Sequence, residues 1–417
     1  MKSTRSRIHT SNVNNTKAPQ NIEISSSHLG LRIFAVVILV LIAATAFGYG
    51  INALFSGTDG WQEIEADVDE LSVATELTFM YDIGAGSESA TTERKAIVVI
   101  YSDACETAYQ LFTPDNEYEY VYNVWYINNH PNEEITVDEV LYSALETMVE
   151  SGGRELYLAP VYAGYESLYF SSEDWEAKEF DPVYSDVQAE YFAKICEFAS
   201  SDDGISLKLL GDNKVILYVS DEYLSYAEEY GIDRFIDFSW MTNAFVVDYI
   251  SDVMIENGYT AGMIVSDDGY ARNLGGCDDI FSYTLYSRQG NTVYSVADML
   301  YDGSMSFVYA HDYAITSDDA LRYYTYENGE RRTPYIDPTD GLSKAATEDL
   351  VLYSADSTCV DLMLSLTRVY IADDLDESKL ATLSTSGIYS IYYDGFTILH
   401  TEDEVVLSDV AEGFSVG

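Results

Sequence analysis

The 23 residues from Ile33 to Phe55 contain no charged side chain, and the segment before them carries mostly positive charge. A helix rises ~1.5 Å per residue, so this apolar stretch reaches across a hydrocarbon core of ~30 Å. A cleaved leader has a shorter apolar region, ~7–15 residues, close to the chain start. Here about thirty polar residues come first, and the pattern predicts one uncleaved transmembrane helix over 33–55. Lys2, Arg5, Arg7, Lys17 and Arg32 stand before it against Glu23 alone. That bias predicts a disordered cytoplasmic tail over 1–32, with everything after the span outside the cell membrane.

Charge reverses beyond the span. The chain holds 21 Lys+Arg and 71 Asp+Glu; subtracting the five basic and one acidic residue of the tail leaves 16 against 70, a net of −54. Such a chain excludes nucleic acid as a default partner, because affinity for phosphate backbones comes from Lys and Arg. With 47% apolar and 14% aromatic residues it also excludes global disorder. A short acidic linker, 56–70, leads into one extracytoplasmic domain over 71–417. Cys105, Cys196, Cys277 and Cys359 form no CxxC pair, which argues against a sulfur-bound metal. One or two disulfides and four isolated core thiols are both compatible with that spacing.

Strand and helix signals alternate through this domain without a long gap. Thr136 and Glu139 have the spacing of a capping box ahead of an apolar helix face ending at Gly152-Gly153; Ser185 and Gln188 repeat the relation before a second helix. Two apolar runs between Ile205 and Val219 flank Gly211-Asp212-Asn213, a hairpin signal. Further helices are expected over Trp240–Glu256 and Thr358–Ile371, strands over Ala261–Val265 and Leu350–Tyr353, and a hairpin around Asp394-Gly395. Strands surrounding a few helices make this an α+β domain, with mixed or antiparallel sheets.

Six short segments then follow in a suggestive order. They are Asp237-Phe238-Ser239-Trp240-Met241-Thr242-Asn243-Ala244-Phe245-Val246-Val247-Asp248, then Val265-Ser266-Asp267-Asp268-Gly269, Thr316-Ser317-Asp318, Tyr323-Tyr324 with the Asn328-Gly329 turn, Ile336-Asp337-Pro338-Thr339-Asp340-Gly341, and Ser357-Thr358-Cys359-Val360-Asp361 through Ser365. This series resembles the ApbE family of FAD:protein FMN transferases. There the corresponding segments read Asp-Leu-Gly-x-x-Ala-Lys-Gly-Tyr-x-x-Asp, Asn-x-Gly-Gly, Thr-Ser-Gly, Ile-Asp-Pro-x-Thr-Gly and Ala-Asp-x-x-x-Thr. The similarity covers about residues 70–400 and implies an ApbE-like, T-fold-like domain. It implies FAD and Mg²⁺ as cofactors, with Asp248, Ser266, Gly269, Thr316, Ser317 and Asp337 at the flavin nucleotide. Asp361 and Ser365 take the place of the metal-holding Asp and Thr. The implied reaction moves FMN from FAD to a Thr of a target, here a flavin-accepting redox protein at the membrane.

Several positions depart from the family's pattern. Asn243 stands at its Lys, Ala244 at a Gly, Asp268 at the first Gly of Gly-Gly, Asp318 at the Gly of Thr-Ser-Gly, and Asp340 and Ser365 at two Thr. Glycines let backbone N–H groups approach phosphate closely, whereas aspartates add bulk and repel it. At ~4 Å each unfavourable charge pair costs a few kcal/mol at an effective dielectric of ~20. Weakened or lost transferase activity is therefore expected, and the alternative is a non-catalytic binding or scaffold protein of the cell envelope on the same fold. That alternative predicts a filled or negatively charged pocket around Asp268 and Asp318.

Residue chemistry alone allows plainer roles. Asp361 suits a helix N-terminus, Ser365 a packing position, Asp337 a turn and Asp248 a solvated helix face. On a helix, Asp361 and Ser365 lie one turn apart, close enough to meet one hard cation. No HExxH, Gly-x-Ser-x-Gly or P-loop competes with this reading, and His130, His311 and His400 are isolated from one another. The 37 tyrosines fit either strand propensity with a wet exterior or a face for amphipathic ligands such as glycans.

Overall fold

Phe79, Tyr81 and Ile83 are buried and alternate with less buried neighbours along Leu77–Ile83, the period-two pattern of a strand that lays one face on a core. In the computed structural model, which describes residues 59–68, 71–84, 89–276, 279–290, 292–315, 319–402 and 405–417, this strand is part of a nine-stranded sheet. From one edge the order begins Gly60–Glu63, Leu77–Ile83, Gly262–Ser266, Tyr270–Asn273 and Met305–His311. It continues through Asp349–Ser354, Tyr389–Asp394, Thr397–His400 and Ser415–Val416. Every neighbouring pair is antiparallel except the last.

The central strands Met305–His311 and Asp349–Ser354 are covered on both faces, which is why apolar residues run through them without alternation. On one face the helices Ala90–Phe112, Thr242–Glu256 and Cys359–Tyr370 pack over Phe79, Ile264, Val308 and Leu352. On the other, Ile280–Gln289, Thr292–Asp302 and Val406–Ser408 form a three-stranded sheet whose Leu285, Val296 and Met299 meet Phe307, Val351 and Ile391. A helical layer over 124–230 carries a small sheet of Ile135–Thr136, Ile205–Gly211 and Lys214–Val219.

Local signals hold where short-range chemistry dominates. Ser185 caps Asp186–Ala199 by accepting from the Gln188 amide, and the hairpins at 205–219 and 389–400 form as expected. Other expectations shift. The helix after Thr136 starts at Glu139, because Asp138 takes the cap and accepts from the Val140 amide at 2.9 Å. The strand expected at 261–265 is Gly262–Ser266. Gly60–Glu63, placed in the linker by its acidity, is a sheet strand, and Ile64 beside it is buried. The 23-residue helix Ala90–Phe112 escapes sequence reading because its Ile97-Val98-Val99-Ile100 run favours strands locally.

Cys105, Cys196 and Cys359 are buried free thiols, while Cys277 lies outside the described residues. So do the tail at 1–32 and the span at 33–55. Among the described residues no helix is long and apolar enough to cross a membrane.

One charge inside the sheet couples stability to pH. Asp349 is 1% exposed and its Oδ1 accepts from the Tyr309 and Tyr313 hydroxyls at 2.7 and 2.5 Å. Burial pushes its carboxyl up to about 7, the two hydroxyls opposing and Glu348 adding. The unfolded chain ionises this group near pH ~4, so between there and pH 7 the folded state holds the extra proton. Stability from this group is therefore present at acid pH and lost as pH rises, at about 1.4 kcal/mol per unit. Asp349→Asn is expected to compare better with the parent at pH 8 than at pH 5, by about 2 kcal/mol or more, in urea unfolding. An equal effect at both values would place the carboxyl in its ordinary range.

Candidate functional site

The turn between Gly262–Ser266 and Tyr270–Asn273 projects one carboxylate from the sheet. Ser266 Oγ donates to Asp268 Oδ1 at 2.6 Å and accepts from the Tyr270 amide at 3.0 Å. Gly269 has φ 97°, and a Cβ there would lie 2.3 Å from the Tyr309 carbonyl oxygen, so the turn requires glycine at this position. Asp268 is not among the positive-φ residues, which is why its backbone accepts a side chain where the resemblance has glycine.

Asp268 lies at one end of a cleft of about 400 Å³. Its Oδ2 is 3.5 Å from Arg322 Nη1, and Arg322 Nη2 is 3.0 Å from Glu76 Oε2. Glu76 Oε2 also accepts from Asn243 Nδ2 at 3.1 Å. Four segments far apart in sequence thus meet in one chain of contacts, Asn243–Glu76–Arg322–Asp268.

The other end is aromatic and acidic. Along the helix Ala159–Tyr169, Tyr162, Tyr165 and Tyr169 donate to the carbonyls of Glu155, Gly341 and Thr333, which fixes their rings along the wall. Phe112 and Trp240 complete it. Asp237 Oδ1 accepts from the Ser239 amide at 2.7 Å, and Ser239 has φ 47°, left-handed backbone at the place of the family's Gly. Burial pushes Asp237 up to about 6; the Ser239 amide and Arg234 oppose this, while Glu166 and Asp115 add to it. Arg234 is itself held by Asp115 in an ion pair. Among the described residues the cleft is lined by five carboxyl side chains, Glu76, Asp115, Glu166, Asp237 and Asp268, against Arg234 and Arg322, and by no Lys, His or Cys.

The sequence-derived candidates divide. Ser266 and Gly269 build the turn that presents Asp268. Asp248 is 8% exposed and not solvated; it accepts from the Cys359 and Val360 amides at 3.1 and 2.9 Å and pairs with Arg272, so it anchors the start of Cys359–Tyr370. Burial raises its carboxyl, against those donors. Asp337 holds its turn through the Thr339 amide at 2.8 Å and Lys344 Nζ at 2.7 Å. Burial works to raise its carboxyl, but Lys344 and Thr339 hold it below the ordinary range. Its loop ends at Gly341, whose carbonyl receives Tyr165, so it supports the cleft wall from behind. Thr316 and Ser317, like Asp318, lie outside the described residues. His311, 1% exposed and pushed down to about 4 by burial, sits in the sheet and not in the cleft lining. Glu76, Asp115, Glu166, Arg234 and Arg322 carried no local signal, since each is an ordinary charged residue until the fold gathers them.

No family model and no curated protein matches the chain. Solved structures do. The ApbE protein of Thermotoga maritima superposes with a TM-score of 0.55 at 12% identity, over 84% of this chain and 97% of that one. A mutant of the flavin transferase ApbE from Vibrio cholerae gives 0.49 at 14% identity, over 84% and 97%. The apo flavinyl transferase ApbE of Pseudomonas stutzeri gives 0.47 at 15%, over 80% and 90%. The first likeness defines the class: a mixed α+β domain with an ApbE-like fold. At that identity it defines the fold alone.

The residues present do not fit an FAD pyrophosphate held by Mg²⁺. Asp361 Oδ2 accepts from the amide and hydroxyl of Thr358, closing a capping box, and Ser365 Oγ donates to the Asp361 carbonyl at 2.9 Å. Neither residue lines the cleft. Among the described residues no group of three or more His, Cys, Asp or Glu is placed to hold a metal. Asp268 and Glu76 put two carboxylates at this end of the cleft, where they oppose an anionic ligand, and Arg322 already pairs with both.

Proposed function

We propose that this chain is a membrane-anchored, extracytoplasmic protein on the ApbE-like fold that binds a small ligand in its cleft and does not transfer FMN. The observation that carries this reading is the Asp268–Arg322–Glu76 arrangement at the cleft's end. The turn that should offer phosphate a bare backbone offers a carboxylate, and the nearby guanidinium is spent on neutralising it. The anchor at 33–55 and the outward placement rest on the hydropathy and charge pattern. The transferase alternative requires FAD, Mg²⁺ and a Thr-bearing redox protein at the membrane.

Both readings are separated by incubating the purified full-length chain with FAD, Mg²⁺ and candidate acceptors, reading covalent flavin by in-gel fluorescence and FAD affinity by titration. The expected outcome is no covalent flavin and FAD binding weaker than about 100 µM, given a few kcal/mol of charge opposition. Covalent transfer, or micromolar FAD binding that depends on Mg²⁺, would overturn the proposal.

A further inference from the structure

Tyr120 is held in a backbone conformation that its side chain disfavours. It is the third residue of the turn Tyr118–Val121, closed by the Val121 amide donating to the Tyr118 carbonyl at 3.2 Å, and its φ is 68°. That place in a turn, when left-handed, ordinarily takes glycine or asparagine. Among the described residues the other non-glycine residues with positive φ are all Asn, Asp or Ser, so an aromatic residue here is the outlier. Nothing inside the protein compensates for the strain. The side chain is 87% exposed, its ring meets no other ring and its hydroxyl makes no hydrogen bond among the described residues. Strain that no internal contact offsets points to a role outside the fold.

The same ring lines a groove of about 330 Å³, within the usual range for small-molecule sites. This groove lies on the other side of the helix Ala90–Phe112 from the cleft: Thr107, Gln110 and Leu111 share one helix face, and Tyr109 and Phe112, on the opposite face, line the cleft. Tyr122 is the second exposed ring of the groove, and it is braced from behind. It meets Tyr126 at 4.7 Å, and Tyr126 in turn stacks on His130 at 3.9 Å. Between the rings, the Gln110 amide and the Thr136 hydroxyl make no hydrogen bond among the described residues, which leaves their donors and acceptors for a ligand. Asp138 is the single carboxyl of the described lining, its Oδ1 already capping a helix, and no Lys or Arg is present. In a chain of net charge −50 this groove is close to neutral.

We propose that this groove is a second binding site, for a neutral oligosaccharide, with Tyr120 and Tyr122 as its stacking platforms. It goes beyond the cleft and does not rest on the reading given for it. A pyranose ring with equatorial hydroxyls presents a face of C–H groups that lies flat on a tyrosine ring, whose face carries negative quadrupole charge. Its hydroxyls point outward from that face, where a neutral amide and a neutral hydroxyl serve as both donors and acceptors. Rigid tyrosines offer such contact area at a low entropic cost. A peptide would match the rings equally, but a groove without a cation and with few apolar walls between its rings favours a ligand whose edges are hydroxyls throughout.

Calorimetric titration of the full-length chain near neutral pH tests the site with four probes: cellohexaose, the β-1,4-linked hexamer of N-acetylglucosamine, cellohexaose carboxylated at its C6 positions, and decaproline. At least one of the two neutral sugars is expected to bind, about threefold or more tighter than the carboxylated one and than decaproline. Tyr120→Ala should weaken sugar binding about three- to tenfold, and Tyr120→Phe, which keeps the ring, should stay within about twofold. Tyr120→Gly separates function from folding: it should weaken binding like Tyr120→Ala while the thermal midpoint holds or rises, because glycine relieves the left-handed strain. No binding of either neutral sugar at about 10 mM, an affinity unchanged in Tyr120→Ala, or equal or tighter binding of decaproline or of the carboxylated sugar would overturn the proposal. So would a fall in the midpoint of Tyr120→Gly, which would make the ring a structural one.

Discussion

Arg332→Met is expected to lower unfolding free energy by about 3–5 kcal/mol, because it strands a buried carboxylate. Asp181 is fully buried, and its Oδ2 takes Arg332 Nε at 2.7 Å and the Tyr326 hydroxyl at 2.8 Å. Its Oδ1 accepts from the Val183 amide at 2.9 Å. Two neutral donors remain after the substitution, and they do not replace a positive charge in a low-dielectric site. Arg332 also reaches Glu330 and packs over the Tyr326 ring, so the loss includes packing as well as charge. Urea unfolding of the single variant and of Arg332→Met with Asp181→Leu measures the effect. The pair should recover a large part of the loss, since the uncompensated charge has then gone too. A single variant within about 1 kcal/mol of the parent would show that Asp181 is not held by this ion pair.

Gly269→Val should cost on the order of 3 kcal/mol or more, whereas Asp268→Gly one position earlier should stay within about 1 kcal/mol. At Gly269 the backbone has φ 97° and the added Cβ meets a main-chain carbonyl at 2.3 Å, so relief requires moving the strand Met305–His311. At Asp268 the loss is one hydrogen bond from Ser266 and one ion-pair contact with Arg322, which keeps Glu76 as a partner. Thermal unfolding of both variants tests the contrast. Similar costs at the two positions would mean that the turn, and not the single glycine, sets the conformation.

Much of the scaffold is legible in short stretches of sequence. Ser185 and Gln188 state their own cap, Asp394-Gly395 its hairpin, and the apolar spacing from Thr242 onward its helix, because each involves groups within four residues of one another. The ordered motifs also indicated the fold class. Reading failed where distant packing outweighed local preference. The helix Ala90–Phe112 is fixed by burying Ile97, Tyr101 and Ala108 against the core despite its β-branched run. Asp248 reads as a helix-face carboxylate until another helix start is laid on it.

The candidate site divides along the same line. The resemblance set Asp268 where the family has a glycine and Asn243 where it has a Lys, and the residue types themselves gave the sign of the local charge. Only the tertiary structure decided that Arg322 reaches Glu76 across 246 positions, that Arg234 meets Asp115 across 119, and that Asp361 and Ser365 spend their hydrogen bonds inside one helix. Charge sign is a property of each residue and survives any fold. Pairing and burial depend on which segments the core brings within a few ångströms, and that is settled by the packing of the whole domain.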